Sequence, residues 1–320
     1  MLINDLPHNI RNNLEDALQL LEMTDEDLNF WEVSDYGIFV LMSEAFYKTL
    51  NFRKANPLDF IKRRDNQDLP HTGCYPDSRK YMDILINHFL EQNLKPQIID
   101  VGGYIGRFSL ESALLIKALN IDVPIHCLEP GLTRNIIKAN FTINQVDELI
   151  TLRSEAASGS DSTADYKYSP DGLISGRICS YPSASKHRSV STIRLDSLIS
   201  DINCHEAAII KIDTEGHEPN VMAGLGSLAK SLPSICIVEF WPETLNAIIN
   251  DMSYADFIER NFTVLNIRSS LYPSFYTPIT DIRQFGQEFD FKEGNIDLLF
   301  INNAVKDADK LIAKLSLLGK

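Results

Sequence analysis

Carboxylates set just before glycines carry the first chemical signal in this chain. In the run Ile98 to Gly106 (I-I-D-V-G-G-Y-I-G), Asp100 ends a β-branched apolar stretch, and Gly102, Gly103 and Gly106 follow around Tyr104. Glycines there let the backbone turn sharply or pass close to a small ligand, and helical apolar spacing from Ile105 to Leu119 follows directly. A dinucleotide fingerprint would place glycine at position 101 and asks for no acid before it, whereas this chain has Val101 and Asp100. An acid at that point suits a cofactor with an ammonium or a sulfonium. A second run, Ile209 to Glu218 (I-I-K-I-D-T-E-G-H-E), repeats the pattern: an apolar strand, the carboxylates of Asp213 and Glu215, Gly216 at the turn, then a helix.

Other acids fall at equivalent places. Glu129 follows the apolar run Ile125 to Leu128 and lies 23 residues past Gly106, a spacing compatible with a carboxylate gripping two ribose hydroxyls. NAD uses the same device, so this spacing does not exclude it. Asp100, Glu129, Glu155, Asp213 and Glu239 all end or just follow strand-like runs, and open parallel sheets bind ligands beyond the carboxyl ends of their strands. Asp213, Glu215 and His217 are the candidate proton acceptors. His217 stands at a helix entry, where the dipole disfavours the imidazolium. Positioning alone can supply about 7–11 kcal/mol, so a weak base suffices. Lys211, two residues before Asp213, shares its face and can pair with a site carboxylate. No metal is expected: His8, His71, His88, His126, His187 and His205 lack ligand spacing, and no further oxygen-rich loop accompanies Asp213 and Glu215.

Alternating elements must position these groups. Strands are expected at 97–101, 125–128, 150–153, 208–212 and 235–240, with helices at 81–92, 105–119, 132–144, 195–201 and 218–230. Such alternation requires a mostly parallel sheet covered on both faces. Strands at 263–267 and 296–301, with no obvious helix between them, read as an antiparallel hairpin closing the sheet. Residues 154–194 are too long for an ordinary connection and carry Ser-Pro, Asp-Gly and Tyr-Pro turn signals, so they read as an inserted hairpin and loop. Its basic group, Arg177, Lys186, His187, Arg188 and Arg194, is a solvated loop or a contact to an anionic acceptor. Residues 1–79 read as a helical accessory region before the 80–320 domain. Leu6, Ile10, Leu14, Leu18 and Leu21 space an amphipathic helix over 5–23, and Thr24 with Asp27 caps a short helix carrying Phe30 and Trp31. Tyr36 to Leu50 reads as helical at its end, with a strand at 37–42 as the alternative, and Lys62 to Lys80 as a loop.

Taken together, the segments D-V-G-G-Y-I-G-R-F-S at 100–109, C-L-E-P at 127–130, E-A-A-S-G at 155–159, S-T-I-R-L-D-S-L at 191–198 and K-I-D-T-E-G-H-E at 211–218 resemble the FkbM-type family of S-adenosylmethionine-dependent methyltransferases. The resemblance spans about residues 80–302. It implies a Rossmann-like class I methyltransferase fold, α/β, with a mostly parallel seven-stranded sheet and an antiparallel C-terminal hairpin. It also implies S-adenosyl-L-methionine as cofactor. Asp100, Gly102, Gly103, Tyr104 and Gly106 would meet its methionine end, Glu129 its ribose and Glu155 its adenine, with Asp213 reaching both cofactor and acceptor. Family members mostly methylate hydroxyls, so the resemblance implies O-methylation of a sugar, glycan or secondary metabolite. An NAD(P)-dependent oxidoreductase and a non-catalytic methyltransferase-fold binding protein are the rival readings.

Composition bounds the rest. A 320-residue chain that is 44% hydrophobic and 23% charged can bury one large α/β core plus an accessory region. Its net charge of −14 argues against nucleic acid or an anionic membrane as the main partner. A small-molecule or glycan acceptor is expected, and the N-terminal region is open to three roles: a roof on the acceptor pocket, a homodimer contact or a cap on the sheet. Five scattered cysteines without a C-x-x-C, no leader-like start and no apolar run near 18 residues predict a cytoplasmic protein with no membrane span.

Overall fold

The computed structural model describes residues 7–8, 11–12, 15, 28–33, 38–43, 52–54, 81–168, 177–178, 186–240, 252–267, 277–289 and 296–317. Strands β4 (Pro96–Val101), β5 (Ile125–Leu128), β6 (Ile150–Arg153), β11 (Ala207–Ile212) and β12 (Ser234–Phe240) form the parallel part of an eight-stranded sheet. Its order is β14-β13-β15-β12-β11-β4-β5-β6. The last three strands to join are β13 (Phe262–Asn266), β14 (Thr277–Ile279) and β15 (Ile296–Asn302), and β15 runs antiparallel to both β12 and β13. From β4 the chain winds outward through β5 to β6, then returns to lay β11 on the other side of β4. The crossovers therefore diverge at the carboxyl ends of β4 and β11, where such a sheet opens a ligand crevice.

Two apolar layers hold the sheet. Along β11 and β12 the side chains alternate: Ile209, Ile235 and Ile237 join a core with helices α1 (Met82–Leu90), α2 (Arg107–Leu119), α3 (Arg134–Ile143) and α8 (Ala308–Ser316). Ala208, Ile210, Cys236 and Val238 join the opposite core with α4 (Leu195–Asp201), α5 (Glu218–Ala223), α6 (Met252–Asn261) and α7 (Ile282–Glu288). A strand buried on both faces reads as a continuous apolar run, as every residue of β11 is here buried. Asp100, Lys211 and Asp213 break this rule on one face, all at the crevice end.

The inserted segment folds as a small separate sheet, β7-β10-β8-β9, of β7 (Ala156–Ala157), β8 (Ser162–Tyr168), β9 (Arg177–Ile178) and β10 (Lys186–Ile193). Ala156, Tyr166, Val190 and Ile178 form its own small core.

Four expectations change. The short helix carrying Phe30 and Trp31 is a strand: β1 (Leu28–Val33) pairs antiparallel with β2 (Ile38–Ser43) and β3 (Phe52–Lys54), with Trp31 opposite Val40 and Lys54. The accessory region is thus not wholly helical, and the strand alternative at 37–42 holds. Pairing of β-branched and aromatic residues overrides the local capping signal, and β2 lies against α3. The main sheet has eight strands instead of seven, and α7 stands where no helix was expected between the closing strands. The helix expected over 218–230 divides into α5 and a 3-10 turn at Gly226–Lys230. Of the helix expected over 5–23, His8, Arg11, Asn12 and Glu15 are helical. The Thr24 cap, the helical end of 36–50 and the loop 62–80 lie outside the described residues.

Candidate functional site

At the end of β4 the backbone turns between two neighbours. Gly102 and Gly103 both donate to the Leu128 carbonyl at 3.0 Å, which ties the turn to β5. Gly102 has φ +87°, and a Cβ there would run into the Asp213 carbonyl. A Cβ on Gly103 would run into the Cys127 sulfur and press on Ile137. These glycines are therefore required by the packing of the protein on itself. Tyr104 is also left-handed, at φ +50°, and Gly106 opens α2. Asp100 is buried beneath the turn, its Oδ2 accepting from the Ser109 amide at 3.1 Å and the Ser109 hydroxyl at 2.6 Å.

Glu129, at the end of β5, is 5% exposed. Its Oε2 accepts from the Tyr104 amide at 2.8 Å and its Oε1 from the Gly131 amide at 2.6 Å. The Tyr166 hydroxyl, from β8 of the inserted sheet, donates to the same carboxylate. Burial pushes the Glu129 carboxyl up to about 7, and the nearby Asp100 adds to this, although the donors pull the other way. Burial and the Glu129 charge raise the Tyr166 and Tyr104 phenols as well.

The second run supplies the other wall. Asp213 continues the ladder, its amide donating to the Val101 carbonyl at 3.0 Å. Lys211, buried on the same face, donates to Asp297 at 2.8 Å and pairs with Asp213 at 3.3 Å. Burial alone would lower the Lys211 pKa, but Asp213, Asp297 and Glu239 hold the amine charged. Glu218 is fully buried, and its Oε1 accepts from the Thr214 amide (2.8 Å), the Thr214 hydroxyl (2.9 Å) and the Gly216 amide (3.2 Å). It thereby fixes the turn that presents Asp213 and Glu215, the latter at φ +56°. His217 caps α5. The Asn220 amide donates to its Nδ1 at 3.3 Å, which leaves the hydrogen on Nε2, 3.0 Å from the Ser158 hydroxyl. Burial depresses its pKa to about 4, so the ring is neutral.

The structure thus brings Asp100, Gly102, Gly103, Tyr104, Gly106, Glu129, Asp213 and Glu215 to one crevice. Glu155, just past β6, accepts from the Arg153 guanidinium at 2.6 Å and the Ser154 amide at 3.0 Å, in a network that includes Asp201. Of the insertion's basic group, Arg194 pairs with Asp196 and His187 with Asp165, while the side chains of Arg177 and Lys186 lie outside the description. Sequence reasoning missed Tyr166, Glu218 and Asp297. An acid four residues after Thr214 was a visible signal for Glu218; nothing local marks Tyr166, whose role depends on the inserted sheet folding back. Among the described residues no group of three His, Cys, Asp or Glu could hold a metal ion, and no helix is long and apolar enough to cross a membrane.

A family profile described as the Methyltransferase FkbM domain matches residues 100–266, from Asp100 at the end of β4 to the last residue of β13. The chain belongs to the FkbM methyltransferase family. Among solved structures, the FkbM methyltransferase from Methylobacillus flagellatus is 13% identical, with a TM-score of 0.38. The match covers 76% of this FkbM chain and 60% of that protein. The precorrin-6y C5,15-methyltransferase from Geobacter metallireducens is 10% identical with a TM-score of 0.32, over 72% of this chain and 92% of that one. No curated protein sequence matches the chain.

Proposed function

We propose that this FkbM-family chain is an S-adenosylmethionine-dependent methyltransferase that methylates a hydroxyl of a sugar, glycan or secondary metabolite. The observation that carries the reading is Glu129: a buried carboxylate at a strand end, held by the neutral Tyr104 and Gly131 amides and, among the described residues, in no ion pair. Such an acid is built to accept from hydroxyls. The acids of the crevice, Glu129, Asp213 and Glu215 with Asp100 buried beneath the turn, also fit a cationic sulfonium better than a pyrophosphate, which carboxylates repel.

When bound, S-adenosylmethionine would supply an electrophilic methyl group. Glu129 would hold the ribose, and Asp100 with the 102–106 backbone the methionine end. Asp213 reaches the crevice from β11 and is 37% exposed, so it can take the proton of an acceptor hydroxyl while Lys211 keeps it oriented. Glu215 completes that wall. With both nitrogens engaged and its pKa depressed, His217 acts chiefly by holding Ser158 and α5 together, which favours Asp213 as the base.

Calorimetry with S-adenosylhomocysteine and with NADH tests the cofactor. Binding of NADH in place of S-adenosylhomocysteine would overturn the reading. Transfer of label from methyl-labelled S-adenosylmethionine into a metabolite or glycan fraction, with a mass gain of one methyl, tests the acceptor class.

A further inference from the structure

A carboxylate offers about four lone-pair sites. On Glu129 three are already taken, by the Tyr104 amide, the Gly131 amide and the Tyr166 hydroxyl. One site is too few for the two hydroxyls of a ribose. The two amides belong to the turn and to the start of the β5–α3 connection, so neither can leave without unfolding the crevice. Tyr166 can leave, because it rides on β8 of a separate small sheet whose own core, among the described residues, is Ala156, Tyr166, Val190 and Ile178.

We infer that Tyr166 is a gate on the ribose site: its hydroxyl occupies a place on the Glu129 carboxylate that a nucleoside diol must use, and cofactor loading moves this side chain off the carboxylate. This rests on the cofactor reading above. The crowding around the contact agrees with it. A Cβ on Gly131 would lie 2.6 Å from Glu129 Oε1 and 2.8 Å from the Tyr166 oxygen, so the two groups share one tight space with no room for a third. The other ionisable groups near the contact are Asp100 on β4, Cys127 on β5, Tyr104 in the turn, Arg188 on β10 and Glu215 after β11.

The test is S-adenosylhomocysteine binding to the full chain at pH 8.5, above the value of about 7 to which burial raises the Glu129 carboxyl. Tyr166→Phe removes the hydroxyl and keeps the buried ring. The gate predicts about tenfold tighter binding and faster association, since nothing must be displaced. Unchanged or weaker binding by Tyr166→Phe, beside a wild type that binds, overturns the gate alone. Absence of binding by the wild type overturns the cofactor reading and the gate with it. Hydrogen exchange on the wild type gives a second measurement independent of any variant: adding S-adenosylhomocysteine should deprotect amides of 162–168 and 186–193. Greater protection there would mean that the sheet clamps down on the ligand, against the proposal.

Discussion

Glu129 makes cofactor binding depend on pH in a calculable way. Burial holds its carboxyl near 7 in the folded protein, against about 4.5 in an unfolded chain. Only the ionised form accepts from two hydroxyls, so affinity follows the ionised fraction. That fraction is about one-eleventh at pH 6 and about ten-elevenths at pH 8, which predicts about a tenfold gain in affinity for S-adenosylhomocysteine across that interval. Below pH 6 the affinity should fall about tenfold per pH unit. Stability moves the other way. The folded state binds this proton more tightly than the unfolded state, so ionisation costs stability as pH rises from about 4.5 to about 7, by about 3 kcal/mol in all. The ligand, which selects the ionised form, should recover part of that loss. The assay is calorimetry from pH 5.5 to 8.5 on wild type and Glu129→Gln, with thermal melts at each pH. Glu129→Gln should bind about tenfold or more weakly at pH 8 and show a flat profile. A flat wild-type profile between pH 6 and 8, or a rise that survives in Glu129→Gln, refutes the reasoning.

Gly103→Val should destabilise the fold, because its side chain meets the Cys127 sulfur and Ile137; overpacking of this kind costs about 1–3 kcal/mol or more, read by urea denaturation. A variant that melts like the wild type and only loses cofactor would show that the turn has room to spare. Lys211→Met strips the cation from Asp213, Asp297 and Glu239, and should cost about 3–5 kcal/mol in the same assay; a loss under about 1 kcal/mol would mean that the cluster is solvated. In a methyl-transfer assay Asp213→Asn should lower turnover about 10²-fold or more, with S-adenosylhomocysteine affinity little changed, while His217→Ala should cost less than about tenfold. The reverse ranking would restore His217 as the base.

The parts of the fold that local sequence dictates were legible. Apolar runs ending in acids placed β4, β5, β11 and β12, and the helical spacings placed α1 to α3 within two residues of their ends. The crevice acids followed, because topology alone puts strand ends together. What failed depended on distant pairing. Phe30 and Trp31 lie in β1 because β2 and β3 supply partners, which no capping signal nearby reports. Tyr166 reaches Glu129 only after two strands and a turn bring it back. The turn glycines were legible as necessary, and Gly102 and Gly106 adopt the left-handed turn expected of them; the further constraint, that side chains at 102 and 103 would meet Asp213 and Cys127, comes from neighbours on other strands.

The position of β15 between β12 and β13 sets an order of assembly. During synthesis β12 leaves the ribosome long before its neighbour at 296–302 exists, so the apolar edge of Ser234–Phe240 must wait unpaired while some fifty further residues are made. In that interval the nascent chain presents a strand edge open to any other chain. A stop codon just before Ile296 would therefore delete the middle of the sheet and separate β13 and β14 from it. It would leave an aggregation-prone polypeptide instead of a slightly shortened enzyme.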